Sequence, residues 1–136
     1  MLYRIYTVFF FFALLCGCND DENSPISMEA FEKRVIDSVG ESAVDCGKVE
    51  INESTFTVNT CVSDSYIINT PFYAFYIVQG IDSSVAYAVS MSLSSVVKTW
   101  SYDSYGEGSI SSRVCEDPSG TFDLMGTESD VLNCSK

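Results

Sequence analysis

Residues 85–93 alternate without a break. Val85, Tyr87, Val89, Met91 and Leu93 are bulky and apolar, and Ala86, Ala88, Ser90 and Ser92 between them are small. Successive side chains of an extended chain point to opposite sides, so this period of two specifies a β-strand with one bulky and one small face. A strand of that kind is stable only within a sheet. Its neighbours are legible on either side. Residues 72–78 form a compact aromatic run suited to a strand covered on both faces, and Gly80-Ile81-Asp82-Ser83 supplies turn chemistry. After Ser94-Ser95, residues 96–102 run back with Val96, Lys98, Trp100 and Tyr102 on one side. Segments 109–115 and 46–51 read as further short strands.

Helical spacing lies towards the N-terminus. Ser27 is placed to cap a helix over 28–39, with Glu29 and Glu32 near its positive end, and Met28, Phe31, Val35 and Val39 recur on one side with Ile36 beside them. Gly40 ends it. Segment 53–69 carries two signals: its Thr, Val, Phe and Tyr suit a strand, while Val58, Cys61, Val62 and Tyr66 fall at helical intervals behind Asn52, a possible cap. It is read as a helix. The expected fold class is α+β: an antiparallel β-meander with one or two N-terminal helices packed on one face, within a single small domain over 27–136.

Charge and composition exclude several functions. The 136 residues hold 19 acidic and 7 basic side chains and no histidine, for a net charge of −12. Nucleic-acid binding is excluded, because it needs basic side chains to displace counterions from phosphates. Without imidazole there is no Ser-His-Asp triad, no Cys-His pair and no histidine-ligated zinc. No cofactor motif is present.

The first nineteen residues carry one charge, Arg4, ahead of the apolar run 5–15. That run is too short to cross a bilayer, which takes about 20 apolar residues. It ends in Leu15-Cys16-Gly17-Cys18 and then Asn19-Asp20-Asp21-Glu22. The segment resembles a bacterial lipoprotein signal, with Leu15 three positions before the lipidated cysteine, Gly17 immediately before it, and Cys18 as acceptor. Cys16 stands where Ala, Ser or Thr is usual. As an acceptor it is the poorer choice, because Leu15 would then occupy the small-residue position. The resemblance implies that 1–17 is a signal peptide, that Cys18 is acylated and anchors the protein in the membrane, and that 18–26 is an acidic polar tether. Asn19 after the lipid cysteine implies the outer membrane, and Asp20-Asp21-Glu22 is either a solvated linker or similar to a surface-export signal.

Four cysteines are left in the exported portion: Cys46, Cys61, Cys115 and Cys134. An even number in a small exported domain points to disulfides, and Cys46–Cys61 with Cys115–Cys134 is the favoured pairing of three. Their separations of 15, 54 and 19 residues contain no C-x-x-C, so no metal site is expected.

In a meander, turn 80–84 and loop 103–109 fall at the same end of the sheet. Asp82, Asp103 and Glu107 are thereby brought into one neighbourhood with Ser83, Ser104 and Tyr105. The ordinary reading is that these residues hydrogen-bond turn backbone. Clustered carboxylates also bind hard cations such as calcium, or cleave glycosides as an acid/base pair. Asp103-Ser104-Tyr105-Gly106-Glu107 does not match the EF-hand loop, however. Ser95-Val96-Val97-Lys98 spells the serine-lysine motif of penicillin-binding proteins, but on a turn and strand its ends face opposite ways, and the companion motifs are absent. The lipoprotein resemblance implies that the sequons at Asn52 and Asn133 are chance matches.

Asp45-Cys46-Gly47, Pro71-Phe72, Gln79-Gly80-Ile81-Asp82-Ser83 and Tyr102-Asp103-Ser104 resemble a pattern in uncharacterised exported bacterial proteins, which implies one folded domain and no particular activity. The expected function is a lipid-anchored, non-enzymatic envelope module for a basic envelope protein, inhibitor or immunity-like. A small carboxylate-dependent hydrolase or cation-binding protein is the alternative.

Overall fold

The computed structural model describes residues 25–116. Along the chain run α1 (Met28–Asp37), β1 (Val44–Val49), α2 (Phe56–Ile67), β2 (Phe72–Gln79), β3 (Ser84–Met91), β4 (Val97–Asp103) and β5 (Ser109–Cys115). The fold is α+β. The five strands form one sheet in sequence order. The signal peptide, Cys18, all of the tether before Pro25, and Cys134 lie outside the described residues.

β2 to β5 form the expected antiparallel meander, with unbroken ladders from Phe72↔Met91 to Gln79↔Ser84 and from Val97↔Cys115 to Asp103↔Ser109. The sheet as a whole is mixed, which corrects the all-antiparallel expectation: β1 pairs parallel with β2, Val44 opposite Phe72 and Val49 opposite Tyr76. The cause is α2. A helix between adjacent strands returns the chain to the end where the first strand began, so the second runs the same way. The 53–69 segment does form that helix, but Asn52 does not cap it. Asn52 sits in a turn at φ 68, and the cap position is Thr55, which makes no side-chain cap bond.

The second correction concerns the layers. The helices lie on opposite faces, not on one. On one side Phe31 and Val35 of α1 pack with Phe75, Ala86, Ala88, Trp100 and Tyr102. On the other, Val58 and Val62 of α2 pack with Phe72, Ala74, Tyr76, Val89, Met91, Val97 and Cys115. Alternation explains the division, because even and odd positions of β2 are both large and apolar and each side needs a cover. The small face of β3 has a use here. With Ala86 and Ala88 beneath α1, Phe31 stacks on Tyr102 at 5.5 Å between ring centroids and meets Phe75 edge-on at 6.0 Å. Trp100 Nε1 donates to the buried Ser90 hydroxyl at 2.9 Å, leaving no orphan donor under the helix.

Local chemistry trims the predicted ends. Ser27 accepts from the Ala30 N–H as expected, but α1 stops at Asp37, and the Ser38 hydroxyl closes its last turn on the Val35 carbonyl. Leu93 leaves the alternating strand for an exposed turn, closed by Ser92 N–H to Val96 O, in which Ser95 takes φ 60. The expected Cys46–Cys61 disulfide is present and ties β1 to α2. It leaves from the point where the β1–β2 register shifts between Asp45 and Lys48. Cys115, the near half of the second expected pair, is buried on the α2 side.

If Phe31 is the wedge that joins α1 to the sheet, Phe31→Ala costs about 3–5 kcal/mol of unfolding free energy in urea titrations. Phe56→Ala, at a side chain that is 76% exposed, changes it by no more than about 0.5 kcal/mol.

Candidate functional site

Strand direction collects three loops at one end of the sheet. β1 and β2 are parallel and finish together, and β2 turns into β3 there. β4, antiparallel to β3, ends beside that turn. The end therefore consists of residues 50–55, 80–83 and 104–108. The chain entering α1 joins them, since the Ile26 N–H donates to the Glu107 carbonyl at 2.8 Å and the Tyr102 hydroxyl to the Ile26 carbonyl at 2.9 Å. Gly108 is required at that junction. It has φ +77, and a Cβ there would lie 2.7 Å from the Ile26 carbonyl oxygen.

Asp82, Asp103 and Glu107 do stand at this one end. The two loops are bridged by Ser84 and Ser104: the Ser84 N–H donates to Ser104 Oγ at 2.8 Å, and the Ser104 N–H to the Ser84 carbonyl at 3.0 Å. Asp103 serves the turn itself, accepting from the Tyr105 N–H at 2.9 Å. That bond, then one from the Ser83 hydroxyl, holds its carboxyl below the ordinary carboxylate range. Among the described residues, no group of three or more carboxylate or cysteine side chains is placed to hold a metal ion.

The parallel pairing adds what sequence reading missed. Loop 50–55 brings Glu50 and Glu53 to the same end, where Glu53 accepts from the Glu50 N–H at 3.1 Å. Ile51, Phe56, Ile81 and Tyr105 stand exposed among these carboxylates. Segments 25–27, 50–55, 80–83 and 104–108 contain neither lysine nor arginine. The basic side chains of the described residues sit outside these segments. Lys33 pairs with Asp37 at 2.6 Å, Lys48 with Glu32, and Lys98 lies over the Trp100 ring. The signal that reveals the larger surface is the crossover: once 53–69 is a helix between neighbouring strands, 50–55 must join 80–83.

A second surface lies on the α2 side of β3, β4 and β5, where Tyr87, Thr99, Ser101, Ser111 and Arg113 line a groove of about 350 Å³. Comparison with protein families, characterised proteins and solved structures finds no match to this chain.

The Asp103 arrangement has a pH signature. A carboxyl with a lowered folded value adds stability that is complete above its unfolded value, about 3.9, and lost as pH falls through the folded one. NMR titration of the Asp103 carboxyl is expected to give a midpoint below about 3.9, with the Tyr105 amide moving in step. Asp103→Asn abolishes that amide shift.

Proposed function

We propose that this chain is a lipid-anchored cell-envelope protein that performs no catalysis and binds a basic envelope protein through the acidic end of its sheet. One observation carries the reading: Glu50, Glu53, Asp82, Asp103 and Glu107 share that end with exposed Ile51, Phe56, Ile81 and Tyr105, without a lysine or arginine in the loops. Carboxylates steer a cationic partner and discriminate against anionic ones, and the apolar side chains give contact area for a complex that lasts. An inhibitor or immunity-like role towards a cationic hydrolase or toxin is the concrete form.

The proposed anchor agrees with this geometry. The tether reaches α1 at the acidic end, because Ile26 is bonded to Glu107 there. With acylated Cys18 in the membrane, the residues between it and Ile26 hold that end within roughly 25 Å of the bilayer. A Cys115–Cys134 disulfide belongs to the same reading, supported by burial of Cys115 on the sheet and by an even count of cysteines.

The test is capture from a solubilised envelope fraction by the soluble mature chain. A basic protein is expected to bind, with affinity falling about tenfold between 50 and 300 mM salt. The combined Glu50→Gln, Glu53→Gln, Asp82→Asn and Glu107→Gln variant is expected to lose most of that salt dependence. Capture that ignores these substitutions, or cleavage of cell-wall glycan by the wild type, overturns the proposal. Mass spectrometry of the native protein is expected to show a diacylglyceryl-modified Cys18, and an unmodified sulfur there refutes the anchor.

A further inference from the structure

Ile81 goes against the chemistry of its own loop. Gln79 and Ser84 pair at the closed end of the β2–β3 hairpin, and residues 80–83 between them make the turn. Gly80, Asp82 and Ser83 are residues that turns favour, whereas isoleucine is a strand former. Burial does not account for it either, because Ile81 is 104% exposed. An apolar side chain that gives the fold no buried area, at a position where local preference asks for a polar one, marks a place where the sequence answers to something besides folding.

The turn that carries it is closely braced. A Cβ on Gly80 would lie 2.3 Å from the Ser83 carbonyl oxygen, so the turn closes this tightly only on glycine. The Ser83 hydroxyl donates to Asp103, and Ser84 and Ser104 tie the hairpin to the neighbouring loop through the Ser84 N–H and the Ser104 N–H. Ile81 therefore projects from a turn whose shape is set before any partner arrives, and little ordering is left to oppose binding.

Building on the binding reading above, we infer that Ile81 is the anchor of the acidic end: presented by this turn, it enters an apolar pocket of the basic partner, and lysine or arginine side chains rim that pocket. Shape points to the pocket. A flat surface covers only the tip of a side chain that stands clear of its own protein, while a pocket encloses it, and interfaces draw most of their energy from a few apolar anchors seated in this way. Charge points to the rim. Asp82 follows Ile81 in the chain, Asp103 is bonded to Ser83, and exposed Glu107 lies in the adjoining loop. A rim of carboxylates would repel these three groups, and a cationic rim pairs with them. Exposed Tyr105 and Ile51, on the loops to either side, supply the apolar contact around the anchor.

The test uses the full mature chain. Ile81→benzoylphenylalanine, irradiated in a solubilised envelope fraction, is expected to crosslink to a basic protein through a peptide that holds apolar residues beside lysine or arginine. That protein, identified by its peptides and purified, is then titrated calorimetrically against variants. Ile81→Ser is expected to weaken binding about 30-fold or more, and Ile81→Val by no more than about threefold, both with the melting temperature of the wild type. Gly80→Ala keeps the side chain but displaces it, and is expected to weaken binding about tenfold. Wild-type affinity in Ile81→Ser or in Gly80→Ala, or crosslinks from position 81 only to a second copy of this chain, overturns the anchor. If the combined carboxylate variant loses binding while Ile81→Ser keeps it, the anchor fails and the acidic reading stands. If neither crosslinking nor capture yields a basic protein, both fail.

Discussion

The structure depends on the burial of β2 from both sides. Phe72, Ala74 and Tyr76 face α2 and Phe75 faces α1, all of them nearly or fully excluded from solvent. A strand apolar on both faces is stable only between two layers, and with two helices available one must go to each side. α1 precedes the sheet and reaches its face freely. α2, lying between β1 and β2, is committed to a crossover, and that commitment makes the β1–β2 pair parallel. One requirement, the covering of a single strand, thus decides both the layering and the direction of the first strand.

The rest of the core follows the same economy. β3 presents Ala86 and Ala88 where Phe31 must enter, and the larger Val89 and Met91 on the α2 side. Among the described residues, the buried serines of this core are satisfied without charge: Ser90 receives the Trp100 N–H, and Ser65 lies against Cys46 Sγ. No buried side-chain nitrogen or oxygen among the described residues lacks a partner. The charged side chains of the described residues lie outside this interior, among them the carboxylates at the rim of the sheet.

On that rim, acids and exposed apolar groups coincide at the end where α1, β1, β2 and β4 meet their loops. Part of the acidity is structural. Asp103 is engaged with the Tyr105 amide, and Glu53 with the amide of Glu50. These bonds fix the loops locally and leave the segments at this end with a net negative charge. At the opposite end, Ile67, Ile68 and Leu93 are exposed. The two ends are therefore chemically distinct.

Local periodicity determined much of this protein. The alternation over 85–93, the capping serine at Ser27, and the spacing of Phe31 and Val35 depend on neighbours a few residues apart, and each can be read along the chain. The meander and the juxtaposition of Asp82, Asp103 and Glu107 follow from it, because hairpins leave little topological choice. Only the tertiary structure decided that the helices take opposite faces, that β1 runs parallel to β2, and that Glu50, Glu53 and Ile51 therefore join the acidic end. Those outcomes depend on which layer covers which side of β2. Burial of that kind is a property of the assembled sheet, and no periodicity within a segment records it.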